Sequence, residues 1–269
     1  GRTPSLWTTS SSSTGEEHTE NLTGELVVID RRGAKYKVTD APSDKNILWV
    51  GTGEGDPRNS VGYGWGVYKS IDGGMSWKHL GLKNTERIKR IVVDPKDPNI
   101  ACVCALGKEW GPNKERGVFK TIDGGKTWEK ILYIDENTGC ADIAMETNNP
   151  RIMYAGMWTF RRKPWRFDDG GKNTALYRTM DGGQTWKKIM NGLPNKDMAR
   201  PGVHIAQSEP NIIYLMTEFE GGGTAFKSED RGENWKMVND DPNINFRPFY
   251  YSDVRVDPNQ PNVLFSISG

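Results

Sequence analysis

One octapeptide recurs four times and constrains the fold of this chain more than any other feature. The copies occupy residues 70–77, 121–128, 179–186 and 228–235. Their aspartates are 51, 58 and 49 residues apart. Self-similarity at a period of roughly 40–50 residues is typical of propellers and related repeat arrays.

Each copy predicts a β-hairpin. A short β-rich run leads into an Asp-Gly turn, and a Trp opens a second β-rich run. The carboxylate can accept amide hydrogen bonds within its own turn, glycine allows positive φ, and the Trp ring covers the turn. The residues assigned to this structural role are Asp72, Gly74, Trp77, Asp123, Gly125, Trp128, Asp181, Gly183, Trp186, Asp230, Gly232 and Trp235. A calcium loop is disfavoured, because the alternating acidic ligands and the terminal Glu are missing.

The octapeptide resembles the Asp-box, also called the bacterial neuraminidase repeat. The resemblance implies a β-propeller with these turns between the third and fourth strands of each blade. It implies little about activity, because the class holds sialidases, other glycosidases and non-enzymatic binders.

The strand pattern predicts an all-β propeller of four-stranded antiparallel blades. Four full blades and two half blades are expected, with an irregular segment and half blade over residues 1–34 and the repeats over 35–269. Residues 6–9 and 25–29 are the strands expected in the N-terminal half blade. The half blades could join into a closed five-bladed ring, or the chain could be an arc of a larger propeller. We favour the arc.

Composition removes several classes of function. The chain has 269 residues, with 36 Lys plus Arg against 35 Asp plus Glu, so its net charge is +1. Because the charges nearly balance, there is no basic excess of the kind that would indicate nucleic-acid binding. No apolar run reaches membrane-spanning length. The first residue is Gly and no signal peptide is visible, so we expect a processed product or a fragment.

The three cysteines are expected to be buried free thiols. Cys102 and Cys104 lie two apart in a predicted strand, which is poor geometry for a mutual disulfide, and Cys140 makes the count odd. The three histidines form no metal-ligand pattern. We therefore predict no metal and no cofactor.

The candidate ligand-binding residues lie in long, varied loops that share one face, where binding is usual on a fixed scaffold. Exposed aromatics beside Arg and carboxylates suit sugar stacking or peptide anchoring; as an alternative, the rings fill gaps between blades and the charges are solvated. The candidates are Glu54, Asp56, Arg58, Trp65, Glu109, Trp110, Arg161, Arg162, Trp165, Asp168, Arg247, Tyr250 and Tyr251. A glycosidase needs two carboxylates about 5–10 Å apart, and Asp56, Glu109, Asp168 and Asp169 are available for that role.

A closer resemblance is carried by residues 50–61, 66–74, 110–112, 116–120, 135–139 and 162–165. These motifs are similar to those of bacterial proteins with sortilin-type propellers, which are often labelled glycosyl hydrolase. The resemblance covers about residues 47–269 and implies an exported, many-bladed propeller, secreted, periplasmic or at the cell surface. Sortilins themselves bind peptide and protein ligands.

Three functions follow as hypotheses. The favoured one is a non-catalytic propeller that binds protein, peptide or glycan on its long-loop face. The second is a glycoside hydrolase acting on polysaccharide with an Asp/Glu pair. The third is a structural subunit that contacts other subunits or the rest of a longer propeller.

Overall fold

The computed structural model describes residues 26–29, 35–58, 61–219, 222–250 and 253–267. Within these ranges the structure is all-β, and its helical turns are two short 3₁₀ segments, Lys83–Thr85 and Pro242–Asn245. The prediction of an all-β chain is confirmed.

The described ranges contain twenty strands. They are β1 (Leu26–Ile29), β2 (Lys35–Ala41), β3 (Asp44–Gly51), β4 (Val67–Ser70), β5 (Lys78–His79), β6 (Ile88–Val93), β7 (Ala101–Ala105), β8 (Gly117–Thr121), β9 (Glu129–Leu132), β10 (Thr138–Met145), β11 (Met153–Lys163), β12 (Arg166–Asp169), β13 (Ala175–Thr179), β14 (Lys187–Lys188), β15 (Gly202–Ile205), β16 (Ile213–Phe219), β17 (Gly222–Ser228), β18 (Lys236–Asn239), β19 (Asp253–Val256) and β20 (Leu264–Ile267).

These strands form antiparallel sheets in the up-and-down order of propeller blades. Blade 1 is β2-β3-β4-β5, blade 2 is β6-β7-β8-β9, blade 3 is β10-β11-β13-β14 and blade 4 is β15-β16-β17-β18. The pair β19-β20 begins blade 5. The four-stranded units predicted from the repeat are thereby confirmed, while the choice between a closed ring and an arc stays a prediction.

Most of the predicted N-terminal half blade lies outside the described residues, and the half blade stays a prediction. Its first strand, at residues 6–9, lies outside the described residues. The strand predicted at 25–29 is β1, and it pairs with β2 at the edge of blade 1. Strands β1 and β2 are separated by five residues and pair antiparallel from Leu26↔Val38 to Ile29↔Lys35, so β1 extends the sheet of blade 1.

Antiparallel order places the connections on two opposite faces. The turns between first and second strands, and those between third and fourth strands, lie on what we call the turn face. The connections between second and third strands, and those between blades, lie on the loop face. The loop face therefore carries every long connection in which the sequence predicts ligand-binding residues.

The hydrophobic core lies between the blades. In β7, Ala101, Val103 and Ala105 pack against blade 1, whereas Cys102 and Cys104 pack against blade 3. Because both faces of such a strand are covered, it is apolar throughout instead of alternating with polar residues. Similar cores join blades 3 and 4, and blades 4 and 5.

The four octapeptides form closely similar turns. In the first, Oδ1 of Asp72 accepts from Ser70 Oγ at 2.7 Å and from the Ser76 amide at 2.8 Å, and Oδ2 accepts from Ser76 Oγ at 2.5 Å. The amide of Gly74 donates to Ser70 Oγ, and Gly74 has φ of 94°. These bonds lower the pKa of Asp72 to about 2, with the Ser76 hydroxyl contributing most.

Links between neighbouring blades also recur. A basic residue of the third strand donates to the next blade: Lys120 Nζ to the Gly182 carbonyl at 2.7 Å, and Arg178 to the Arg231 carbonyl at 2.7 Å. In the reverse direction, Trp128 donates its indole N–H to the Leu80 carbonyl of the preceding blade at 2.7 Å. The octapeptides therefore fasten blades to one another as well as closing their own hairpins.

A disulfide joins Cys104 of blade 2 to Cys140 of blade 3, with the Cα atoms 5.0 Å apart. The expectation of three free thiols is therefore wrong. The two residues are 36 apart in sequence, but blade packing brings the second strand of one blade against the first strand of the next. Cys102 is a buried free thiol, as expected, and burial raises its pKa to about 12.

Candidate functional site

The third long connection on the loop face is a β-hairpin, although the sequence predicts a loop there. Strand β11 continues past blade 3 to Lys163, and β12 returns from Arg166. The pairs run from Phe160↔Asp169 to Lys163↔Arg166. Cross-strand contacts explain the extension, because the Arg162 guanidinium lies 4.4 Å from the Phe167 ring centroid and Lys163 pairs with Asp168 at 2.7 Å.

The base of this hairpin is an aromatic cluster. Trp158 and Phe160 are fully buried and stack with ring centroids 4.5 Å apart. Phe167 packs edge-on to Trp158, and Phe249 from the connection between blades 4 and 5 closes the group. The hairpin is therefore held rigidly by its own aromatic residues and by a neighbouring blade.

Asp169 lies at the base of the hairpin against this aromatic cluster. Trp158 Nε1 donates to its Oδ1 at 2.9 Å, and the backbone N–H of Arg200 also donates to the carboxyl group. Burial outweighs both bonds and, with the charge of Glu218, raises the pKa of Asp169 to about 6. This partly buried carboxyl group thus keeps its proton to a higher pH than an ordinary Asp does.

Glu218 is the second carboxyl group at this place. It lies in β16, near the loop-face end of blade 4, and burial raises its pKa. Sequence reasoning missed it, and the available signal was one Glu in a strand, Ile213–Phe219, that is otherwise apolar except for Thr217. The sequence offers Asp169 as one of four possible catalytic carboxylates but cannot distinguish it from the others, because its burial depends on residues far along the chain.

The predicted carboxylates of blade 1 are held in ion pairs. Arg58 donates from Nε to Glu54 Oε1 at 2.9 Å, and the Glu54 side chain is buried. Asp56 Oδ1 accepts from Lys89 Nζ at 2.6 Å and from Arg200 at 2.9 Å. These contacts give Glu54 and Asp56 a structural role in fixing the loop.

Glu109 is also buried between cations. Its carboxylate lies 3.5 Å from Arg87 and 3.8 Å from Arg162. Burial raises the pKa of Glu109, and the charges of Arg87 and Arg162 oppose that rise. The group ties the loop of blade 2 to the hairpin of blade 3, because the Glu109 carbonyl also accepts from the Arg162 amide at 2.9 Å.

Arg200 is a residue that sequence reasoning missed. It is buried in the connection between blades 3 and 4, where it binds Asp56 and donates to the carbonyls of Phe249 at 3.2 Å and Tyr250 at 2.5 Å. It therefore links the loops of three blades. Its position directly before Pro201 gave no sign of that role.

The remaining candidates lie on the loop face. Arg161 donates to the Asn137 side chain, and Asp168 is paired with Lys163 and Arg166, with Lys163 chiefly responsible for lowering its pKa. Arg247 is exposed and Tyr250 is partly buried. Tyr251 lies outside the described residues. The structure thus places these residues over several blades and does not bring all of them into one pocket.

Several aromatic rings are open to solvent on the loop face. Trp165 at the tip of the hairpin is 78% exposed, and Trp65 and Trp110 are 56% and 47% exposed. Tyr63 is 63% exposed beside Trp65. Exposed rings on rigid loops offer flat apolar surfaces against which a sugar ring can stack.

Within the described residues there is no group of three or more His, Cys, Asp or Glu side chains able to hold a metal ion. In the same part of the chain, no helix has the length and apolar character needed to cross a membrane.

Comparison with known proteins places this architecture among β-propellers. No family model matches the chain. Xyloglucanase Xgh74A of Acetivibrio thermocellus is 29% identical over 136 residues, which covers 47% of this chain and 14% of the relative. A sialidase of Bacteroides fragilis is 24% identical over 205 residues, covering 63% of this chain and 36% of that protein.

Among solved structures, an ancestral GH74 enzyme superposes with a TM-score of 0.60 at 21% identity. The match covers 88% of this chain and 27% of that structure. The chain therefore spans well under half the length of these relatives. At this level of identity the likeness shows the fold, and this chain is a β-propeller.

Proposed function

We propose that this chain is part of a glycoside hydrolase that cleaves a polysaccharide on its loop face. The observation that carries the proposal is Asp169, a partly buried carboxyl group whose pKa is raised to about 6. An acid catalyst for glycosidic cleavage needs such a raised pKa, because it must hold a proton near neutral pH and donate it to the leaving oxygen.

Two carboxyl groups with different protonation states are the usual requirement of this chemistry. Glu218 is the second group, and its charge contributes to the raised pKa of Asp169. Because the two carboxyl groups interact, their pKa values describe the pair and not either residue alone. Loss of the first proton places a negative charge beside the other group, which then holds its proton more tightly. In the proposed mechanism the protonated Asp169 donates to the glycosidic oxygen, and Glu218 as carboxylate acts at the anomeric centre or on the attacking water.

Substrate binding is assigned to the same hairpin. Trp165 is four residues before Asp169 and is the most exposed ring among the aromatic candidates that the structure describes. A sugar stacked on Trp165 would be held by an element whose base carries the acid. The names of the relatives, a xyloglucanase and a sialidase, support carbohydrate as the substrate class, with xyloglucan as the first polysaccharide to test.

The comparisons favour this hypothesis over the non-catalytic binding protein that the sequence led us to prefer. One observation supports that second function: Glu54, Asp56 and Glu109 are all engaged with cations, which removes them as catalytic candidates. In that case Trp65, Trp110 and Trp165 would bind glycan or peptide without turnover.

Four finer assignments belong to the same proposal. The first is that the octapeptide turns are Asp-box turns, which is supported by the repeated hydrogen bonds between Asp and Ser or Thr. The second is that the propeller is similar to the sortilin type. The protein is secreted or exposed outside the cytosol, which is supported by the disulfide between Cys104 and Cys140. Further blades or subunits pack against this propeller.

The test is hydrolysis of xyloglucan by the full chain, followed through the appearance of reducing ends. Asp169→Asn and Glu218→Gln are each expected to lower kcat by about 10²–10⁴-fold, the usual contribution of a positioned acid or base. Asp168→Asn is the matched control, because Asp168 lies next in sequence but is paired with Lys163 and Arg166. Binding of xyloglucan without turnover by the wild type would instead favour the non-catalytic function.

A further inference from the structure

A cleft opens on the loop face between blades 1 and 2. Its volume is about 560 Å³. One wall is the end of the blade 1 loop with Tyr63 and Trp65, another is the 3₁₀ segment Lys83–Thr85, and the third is residues 108–114 of blade 2. This cleft is separate from the carboxyl pair, which lies in blades 3 and 4.

The walls are fixed to one another by hydrogen bonds. The Gly64 amide donates to the Glu86 carbonyl at 2.7 Å, and the side chain of Asn113 donates to the Asn84 carbonyl at 3.0 Å. Asn113 is buried and also accepts from the Glu115 amide at 2.6 Å. The cleft is therefore preformed, which reduces the entropy lost when a ligand binds.

The backbone on both sides of the 3₁₀ segment is strained. Leu82 has φ of 56° in the left-handed region, and Glu86 has φ of 58° with ψ of −36°; non-glycine residues rarely adopt such positive φ values. Such conformations persist where the surrounding structure enforces them, often at binding sites. Here they hold the backbone that presents Lys83 and Asn84 at the edge of the cleft.

The charge of the cleft is positive. Lys83, Lys108 and Lys114 line it and are exposed, and Glu86 is the one acidic side chain among the lining residues. Three lysines against one glutamate give a formal charge of +2, whereas the whole chain carries +1. Glu86 pairs with Lys108 at 3.5 Å and lies 3.6 Å from the buried Arg87, so the net positive charge of the cleft rests mainly on Lys83 and Lys114.

Aromatic surface and positive charge occur side by side. Lys83 Nζ lies 4.4 Å from the ring centroid of Trp65, and Tyr63 is exposed nearby. Sugar rings stack on such aromatic faces. A carboxylate on the sugar would pair with the ammonium groups of Lys83 and Lys114, which a neutral glycan could not do, while Lys108 beside them also pairs with Glu86.

We propose that this cleft binds an acidic glycan, a chain of uronic acid residues, through its carboxylates on Lys83, Lys108 and Lys114 and its ring faces on Trp65 and Tyr63. The site goes beyond the proposed hydrolase activity, because it needs neither Asp169 nor Glu218. It would hold the protein on an acidic polysaccharide while the carboxyl pair of blades 3 and 4 acts on its own substrate.

The test is calorimetric titration of the full chain with a galacturonic acid oligomer of about six units at low and high salt. Binding is expected to weaken as salt rises, because exposed ion pairs are screened. The fully methyl-esterified oligomer, which has the same sugar rings without the charge, is expected to bind at least about tenfold more weakly.

The double variant Lys83→Gln/Lys114→Gln is expected to lose about tenfold in affinity, and Trp65→Ala is expected to lose a comparable amount. The matched control is Lys45→Gln/Lys126→Gln, which removes two exposed lysines from the turn face and should bind as the wild type does. Unchanged melting temperatures will show that all variants are folded.

Equal binding of the charged and esterified oligomers, or unchanged affinity of the lysine variant, would overturn the proposal. Equally tight binding of a poly-glutamate peptide would overturn it in favour of an acidic peptide. These outcomes are measured by binding alone, so they are independent of whether xyloglucan is hydrolysed.

Discussion

The indole nitrogen of Trp158 donates a hydrogen bond of 2.9 Å to Oδ1 of Asp169. Trp158 is fully buried in β11, and Asp169 ends β12, so this bond closes the hairpin at its base. The same bond fixes the direction of the carboxyl group, and the surrounding aromatic cluster desolvates it. One contact therefore joins the local structure of the hairpin to the chemistry proposed for the site.

Replacing Arg200 tests the buried network that holds the loops together. Arg200→Met removes the donor to the Phe249 and Tyr250 carbonyls and one of the two cations that bind Asp56, leaving Lys89 as the other. Breaking a buried ion pair from one side costs about 3–5 kcal/mol of unfolding free energy, and urea denaturation measures it. Arg166→Met is the control, because Arg166 is mostly exposed and its pair with Asp168 contributes about 1 kcal/mol or less. Equal effects of the two substitutions would show that the Arg200 network does not stabilise the fold.

The disulfide between blades 2 and 3 can be tested by counting the free thiols of the protein. Alkylation of the denatured, unreduced protein is expected to label one of three cysteines, Cys102, and mass spectrometry reads the number. The variant Cys104→Ala/Cys140→Ala should lose about 2–4 kcal/mol of stability, since a bond that closes a 36-residue separation restricts the unfolded chain. Cys102→Ala should retain the bond. Labelling of all three cysteines would contradict the pairing.

The octapeptide turns predict a specific response to acid. Asp72→Ala removes the acceptor of the Ser70 and Ser76 bonds and should lower the melting temperature at pH 7. Because the folded pKa of Asp72 is about 2 and its ordinary value is 3.8, its contribution is present above pH 4 and is lost as pH falls toward 2. The difference from wild type should therefore shrink over that window. Asp197→Ala, at an exposed site outside the turns, should show little difference at any pH, and a constant gap for Asp72→Ala would refute the assignment.

The repeats could be predicted from sequence because their chemistry is local. In each copy the Asp bonds to groups two to four residues away, and Gly74 and its equivalents need only their own turn. The strand order and the two faces follow from that repeat. The hairpin over residues 160–169 could not be predicted, because its strands are short and carry Arg and Lys where alternation is expected.

The site depends on contacts between residues far apart in sequence. The pKa of Asp169 is set by burial and by Glu218, and Arg200 reaches Asp56 across 144 residues. The disulfide likewise needs two blades to pack before its cysteines meet. Residue types could identify loops rich in candidates, but only the packed blades separate carboxylates held by cations from a carboxyl group that keeps its proton.

The pH dependence of kcat/KM on xyloglucan tests the central claim most directly. If Asp169 is the acid, activity requires its protonated form and should fall as pH rises through about 6. Asp168→Asn should keep that falling limb, and Asp169→Asn should lose both the activity and the limb. A wild-type profile that stays flat from pH 5 to 8, or an active Asp169→Asn variant, would contradict the account.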